Sequence, residues 1–392
     1  MTLDRRSLLR GAGAAIALQG APRLADAATP IPHTRRSAVE PSLTFFLADA
    51  SRGGSDDHDG LSPSTPMRTH AALLATLMSG WDLAGKPLTI QHTPGVYDPI
   101  KPPGALVGQG GAPTAVTFAG QPDDPDACII RPGPGDGRAV HTEGSGVQIH
   151  VDGFRLDMSS NPGVDMVTVE NGTLLVLGAV VFGPGSGAID CQVCFDARLV
   201  VSKPYRIDKR GTVNLNHIQQ DPGSYVGNSG NGVWGTLSVT VDGAPAYADA
   251  FMRVDRATNF LGATAFLRPG AVVTAIRPGR AAGDRRIALD TVDGVTPGML
   301  AYAPSLPYGT QVVAVDGASG EVTLSAGLQA ETAARTPIIC GLKAELGGGR
   351  RYAITNGGLI QSNTNTGAGP DPAWLPGSTA GIVDDDPGSR YV

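Results

Sequence analysis

Two stretches of this chain concentrate the ionisable residues that could do chemistry. The first is "GSDDHDGLSPSTP", residues 54–66, where Asp56, Asp57 and Asp59 precede Gly60. Three carboxylates so close together could offer oxygens to Ca²⁺, a hard cation that takes six to eight of them. The alternating ligand order and terminal Glu of an EF-hand loop are missing. Asp is also what tight turns use, because its side chain bonds nearby backbone amides. A turn is therefore the favoured reading, with Asp56, Asp57 and Asp59 as the candidate metal ligands if it is not.

The second stretch is "DCQVCFDARLVVSKPYRIDKRG", Asp190 to Gly211, followed later by "FMRVDRATNF" with Arg253, Asp255 and Arg256. A Lys or Arg beside Asp could act as base next to a cation-neutralised uronate. Asp190, Asp196, Lys203, Arg206, Arg253 and Asp255 form the candidate catalytic set, expected to share one exposed face that His217 and Trp234 could also line. The competing reading is a solvated face of surface ion pairs, each worth little. Other chemistries find no support. There is no G-x-S-x-G elbow and no P-loop, and "GQGG" (Gly108 to Gly111) is a lone glycine cluster. Cys191 and Cys194 make a C-x-x-C with no second pair or nearby His to complete a zinc set, so idle or buried thiols are expected.

The elements that must position these residues are mostly strands. After residues 1–27 and a polar leader (28–41), "SLTFFLADA" reads as a first strand. "TPMRTHAALLATLMSG" reads as the one convincing helix, near 66–79, with Thr65 as N-cap and Pro66 in the first turn. Short β-branched segments punctuated by Gly, Asn, Asp or Pro then continue along the chain. "MVTVENGTLLVLGAVVFGPG" from Met166 and "FMRVDRATNFLGATAFLRPG" from Phe251 align without a gap at an offset of 85. Four coils of a little over 21 residues would account for that offset. Val169 and Val254 would then point into the core four coils apart, about 19 Å at ~4.8 Å per coil. "YAITNGGLIQS" from Tyr352 repeats the same corner. A fixed period with strand chemistry predicts an all-β parallel β-helix over residues 42–270; a β-sandwich, which also spaces turns closely, is the alternative. Residues 271–341 lose the coil spacing and read as a small inserted β-module with Asp-Gly turns. Residues 342–392 read as a last coil and a Pro/Gly-rich tail.

Strand, "GSDDHDGLSPSTP", short helix and "PLTIQHTPGVYD" together resemble the opening of right-handed parallel β-helix proteins of the pectate-lyase-like superfamily, in which the helix caps the first coil. "VQIHVDGFRLD" is similar to their repeated coil, and 271–341 and the tail resemble phage-tail modules. The resemblance implies a right-handed solenoid and Ca²⁺-assisted lyase or paired-aspartate glycosidase chemistry. The glycosidase signatures "NTD", "DD" and "GHG" do not occur in order; "NTNTG" (363–367) and "DDDPG" (384–388) are superficial echoes in the tail. Paired carboxylates about 5 to 9.5 Å apart would nonetheless suffice for glycoside cleavage.

The N-terminus, with Arg5–Arg6 before a short apolar stretch and "ADA" at 25–27, resembles a twin-arginine export signal. Periplasmic or secreted localisation follows as an expectation. Removing residues 1–27 takes four arginines and two aspartates from 30 basic and 36 acidic residues and leaves a net charge of −8. An acidic, aromatic-poor chain is ill suited to nucleic acid, and no segment reaches the ~20 apolar residues of a membrane span. The expected function is binding or depolymerising polysaccharide along the side of the solenoid, with Ca²⁺ a candidate cofactor and an oligomer compatible with the sequence. The alternative is a non-catalytic structural or adhesive surface protein.

Overall fold

Apolar residues recurring at every second position, cut by turn residues, fold into short strands that stack in parallel rather than pairing as hairpins. A computed structural model describes residues 36–37, 42–342, 350–355, 359–360 and 390–391. Positions 103, 105, 107–108, 110–114, 145–147, 186, 229–236, 243–246, 256, 261–263, 278, 304 and 308 are excepted. The export-signal segment 1–27, nearly all of the leader, Trp234, Arg256 and the echoes at 363–367 and 384–388 lie outside the described residues, as does most of the glycine cluster at 108–111.

The fold is a parallel β-helix whose coils visit three sheets in turn. The first sheet stacks ten strands from Leu43–Leu47 through Gln148–Asp152 and Arg198–Val201 to Arg390–Tyr391. The second begins with Gly95–Tyr97 and includes Phe154–Leu156, Val180–Phe182, Tyr205–Asp208 and Leu237–Asp242. The third runs from Val140–Thr142 through Val167–Val169, Ile189–Val193, Asn214–Gln220 and Tyr247–Asp255 to Arg350–Thr355. Inward side chains line up in ladders: Phe45, Ile90, Phe118, Val151, Leu177 and Val201 are register partners in the first sheet. All six are buried in one apolar cluster that fills the solenoid. Deleting such a side chain to Ala typically costs about 2–5 kcal/mol.

Register corrects the expected coil length. Val169 pairs with Val193, Val193 with Gln220, and Gln220 with Val254. The 85-residue offset is therefore three coils of 24, 27 and 34 residues, and the two valines stand about 14 Å apart at ~4.8 Å per coil. The strand ladder demands register only within the sheets, so corner loops absorb the difference. Val254 and Asp255 go on to pair with Ile354 and Thr355, the repeat that begins at Tyr352.

The helix starts later than the sequence suggested. It spans His70–Gly80, and its N-cap is Thr69, whose hydroxyl accepts from Ala72 N at 3.1 Å. Pro66 lies outside it, and Met67 is bridged to Leu47 instead. The amides of Arg68 and Thr69 donate to Asp56 Oδ1 at 3.2 and 2.9 Å, which keeps the chain extended up to the cap. Leu73, Leu74 and Leu77 then bury into the solenoid cluster at the start of the stack.

Some corners leave no room for a side chain. At Gly153, with φ +80°, a Cβ would meet Gln121 N at 2.5 Å, and at Gly120 it would meet Gly153 O at 2.1 Å. Successive coils touch there through backbone alone.

Beyond Ala275 the pattern changes. Thr264–Ala275 is a 12-residue strand that runs across position 271 and pairs antiparallel with Pro337–Leu342, which in turn pairs with Leu300–Tyr302. Arg286–Ala288, Glu321–Leu324 and Val312–Asp316 form a separate three-stranded antiparallel sheet. Ile276, Ile287, Leu289, Leu306, Val322 and Ile338 belong to a second apolar cluster distinct from that of the solenoid.

Candidate functional site

An open groove of about 400 Å³ runs along the outer side of the second sheet. Pro122, Pro125, Pro204 and Pro269 line it together with Val181, Thr240 and Arg206. Pro122, Pro125 and Pro204 sit in the corners that lead into the second sheet, whereas Pro269 lies within Thr264–Ala275 at the irregularity between Leu267 and Val272; at such places a missing N–H costs no ladder bond. Val181, Arg206 and Thr240 are consecutive register partners on its strands. Apolar ridges with a few convergent polar groups are the usual make-up of a ligand site.

Arg206 belongs to an ion-pair ladder that lies along the stack. Arg155 Nη1 donates to Asp126 Oδ1 at 2.8 Å and its Nη2 to Asp208 Oδ2 at 2.7 Å. Arg206 Nη2 donates to the other oxygen of Asp126, and Arg210 Nε to Asp208 at 3.2 Å. Arg155 and Arg206 are two coils apart, with Val181 between them. Arg206 Nε is shielded from solvent and has no partner among the described residues. Burial would push the Asp126 and Asp208 carboxyls up, but hydrogen bonds and charge from the arginines outweigh it and hold both below the ordinary value. Asp157 is lowered likewise, against its burial, by hydrogen bonds from Ser159 and by Arg131. The carboxylates of Asp126, Asp157 and Asp208 are thus ionised at neutral pH, the wrong state for the general acid of a glycosidase.

The candidate catalytic residues do not share one exposed face. Asp190–Arg210 covers most of a coil, so the chain carries it through all three sheets. Asp196 is exposed in a corner turn at φ +60° and Lys203 pairs with Asp152. Arg206 lines the groove, while Arg253, on the third sheet, pairs with Asp249 at 3.1 Å. Asp255, half-buried, ends the same strand as Arg253.

Asp190 is fully buried inside the solenoid, where it could meet no polysaccharide. Its Oδ1 accepts from Lys209 and from Asn214; its Oδ2 accepts from Tyr247 at 2.6 Å and pairs with His217 Nδ1 at 2.9 Å. Lys209, also fully buried, is a true interior ion-pair partner. Burial alone would raise the Asp190 carboxyl, but the Lys209 ammonium and the His217 hydrogen bond bring it down to about 2. Burial lowers His217 despite Asp190, and burial with the Asp190 charge raises the Tyr247 phenol well above its ordinary value. His217, expected on the groove side, instead stacks on Phe251 with centroids 4.7 Å apart and meets Tyr205 OH at 2.7 Å.

The acidic loop at 54–60 is a turn. Asp56 Oδ1 accepts from two amides and the Thr69 hydroxyl, and its Oδ2 pairs with Arg68 at 3.1 Å. Asp59 Oδ1 accepts from Leu61 N at 3.1 Å and Thr65 Oγ1 at 2.8 Å, hydrogen bonds that lower its carboxyl. Their oxygens face the backbone rather than converging with Asp57 on a shared centre. Cys191 and Cys194 are buried free thiols, as are Cys128 and Cys340. Burial pushes Cys128, Cys194 and Cys340 up to about 11, far from a reactive thiolate.

Asp126, Arg155 and the proline walls escaped the sequence reading. The signal was present in "QPDDP", "SKP" and "LRPG", prolines that the stack brings to one side of the second sheet from coils far apart in sequence, but each alone reads as a turn. No helix among the described residues is long and apolar enough to cross a membrane. No protein-family model, curated protein or solved structure matches the chain.

Proposed function

We propose that this chain binds polysaccharide along the outer side of the second sheet, as an exported protein of pectate-lyase-like build. The observation that carries the reading is the proline-walled groove with Arg206 on its wall. Pro and Val surfaces suit the C–H faces of sugar rings, and the part-exposed Arg206 guanidinium suits a hydroxyl or uronate oxygen. The paired arginines and "ADA" near the N-terminus support export. A groove lined by no carboxylate among the described residues, with Asp126 and Asp208 held ionised in the arginine ladder, favours binding over hydrolysis.

The test is a panel of acidic and neutral polysaccharides, with and without Ca²⁺, assayed for retention of the mature protein and for released ends. At least one polysaccharide should be retained without cleavage. Arg206→Ala and Thr240→Glu, which removes the donor and fills the mid-groove, should each weaken that binding at least about tenfold, or 1.4 kcal/mol. Cleavage products would restore the enzyme reading. Absence of binding to every polysaccharide would move the structural, adhesive reading ahead.

A further inference from the structure

Away from that groove, on a different sheet of the coil, the third sheet carries a mixed nitrogen and oxygen cluster on its outer surface. His141 lies mid-strand in Val140–Thr142, and Glu143 follows that strand; Glu170 follows Val167–Val169, the next strand in the stack. One imidazole nitrogen and one oxygen from each carboxylate all lie within 4.8 Å of one another. His141 Nε2 already sits 2.8 Å from Glu170 Oε1. His141 and Glu170 are partly exposed and Glu143 is exposed, which leaves the cluster open to ions from solvent.

A second observation points to the same spot. Thr168 is the register partner of His141, so its side chain stands on the same outer face, two residues before Glu170. Although it faces outward, Thr168 is 1 % exposed, and its hydroxyl has no hydrogen-bond partner among the described residues. A shielded, unsatisfied hydroxyl is uncommon because it forfeits its hydration without recompense. A cation with its ligands and water at His141 and Glu170 would give it one.

We propose that His141, Glu143 and Glu170 form a site for one divalent transition ion of the Zn²⁺ kind, with the Thr168 hydroxyl supporting its ligand shell. An imidazole with two carboxylates suits a borderline ion, whereas Ca²⁺ prefers six to eight oxygens. The ion takes the place of the proton between His141 and Glu170. With metal–ligand distances near 2.0–2.2 Å, tetrahedral ligands stand roughly 3.3–3.5 Å apart. The 2.8 Å pair therefore opens by a few tenths of an ångström, and Glu143 closes in from within the 4.8 Å span. Three protein ligands leave a fourth position for water. Because the ligands come from two successive coils, the bound ion also clips those coils together.

The experiment is calorimetric titration of Zn²⁺ alone into the chelator-stripped mature protein. The expected result is one ion per chain at micromolar affinity or tighter, with Ca²⁺ weaker. His141→Ala and Glu170→Gln should each lose at least tenfold in affinity, and Thr168→Val should lose less than either. Zn²⁺ should raise the unfolding midpoint of the wild type and not of His141→Ala. A variant melting like the wild type without Zn²⁺ has lost a ligand and not its fold. Should His141→Ala unfold, His141→Gln takes its place with the same expectation. Visible absorption of the Co²⁺-loaded wild type should show the intense bands of tetrahedral coordination, absent from the variants. Unchanged Zn²⁺ binding in His141→Ala, no stoichiometric binding in the wild type, or tighter binding of Ca²⁺ than of Zn²⁺ would overturn the proposal.

Discussion

Replacing Lys209 by Met tests whether the interior ion pair is what holds the middle coils together. Lys209 and Asp190 are both 0 % exposed, so neither charge is appreciably solvated in the folded protein. Removing the ammonium leaves the Asp190 carboxylate with three neutral donors, Asn214, His217 and Tyr247. Hydrogen bonds alone do not replace a counter-charge at full burial, and breaking such a pair from one side typically costs about 3–5 kcal/mol. Without Lys209 the carboxyl must rise from its value of about 2, so the deficit should shrink as the solution is acidified and Asp190 takes up a proton. The double variant Asp190→Asn/Lys209→Met buries no charge and should recover most of the loss, within about 1–2 kcal/mol of wild type. Urea unfolding followed by far-ultraviolet circular dichroism at pH 7 and pH 5 reads all of these quantities. A cost under about 1 kcal/mol for Lys209→Met, or a double variant as unstable as the sum of the singles, would refute the reasoning.

Three further outcomes follow from the structure. Burial, and then the neighbouring His70, push His92 well below its ordinary value. A lowered folded value means that its stabilisation is complete above the unfolded pKa near 6.5 and is lost as pH falls below it, at most about 2 kcal/mol by pH 5. His217 is lowered too and acts in the same direction; His92→Gln should flatten the slope of stability against pH between 6.5 and 5. Phe195 and Asp196 form a corner at φ +54° and +60°, where the preceding coil has Asn171 and Gly172. Replacing them with Asn-Gly should raise stability by about 1 kcal/mol in urea unfolding, and no gain would mean that the corner is unstrained. Ala275 and Pro337 are antiparallel partners, so residues 277–335 could be replaced by a two-residue turn. With Ile338→Thr and Cys340→Ser covering the exposed face, the shortened chain should still unfold in one cooperative transition; aggregation would show that the second apolar cluster is needed by the solenoid.

What the sequence made legible was whatever repeats at fixed register. Val169 and Val254 could be matched because inward apolar positions recur along the third sheet, although the coil between Val193 and Val254 puts Gln220 at that place. Their separation in coils could not be read, because corners of differing length leave no trace in strand periodicity. The same difficulty hid the site. Asp190 looked exposed because its partners Lys209, His217 and Tyr247 lie 19, 27 and 57 residues away, and because Ile189, Asp190 and Cys191 are all buried, breaking the alternation. Asp126 and Arg206, 80 residues apart, meet only because long arginine arms lie along the stack across intervening coils. The turn at Asp56 was legible since its partners, Arg68 and Thr69, are close in sequence.

The most direct test of the central claim is the dependence of affinity on the length of the bound sugar chain. The strands that line the groove, from Val181 through Arg206 and Thr240 to the strand that holds Pro269, span three coil steps, about 14 Å at ~4.8 Å per coil. Oligosaccharides of increasing length, cut from whichever polysaccharide the panel identifies, would be titrated by calorimetry into the wild type and Arg206→Ala. Affinity should climb with each added unit until the oligosaccharide reaches that length and then level off, with the Arg206→Ala curve displaced to weaker binding throughout. An affinity independent of length, or identical curves for the two proteins, would contradict a binding site in this groove.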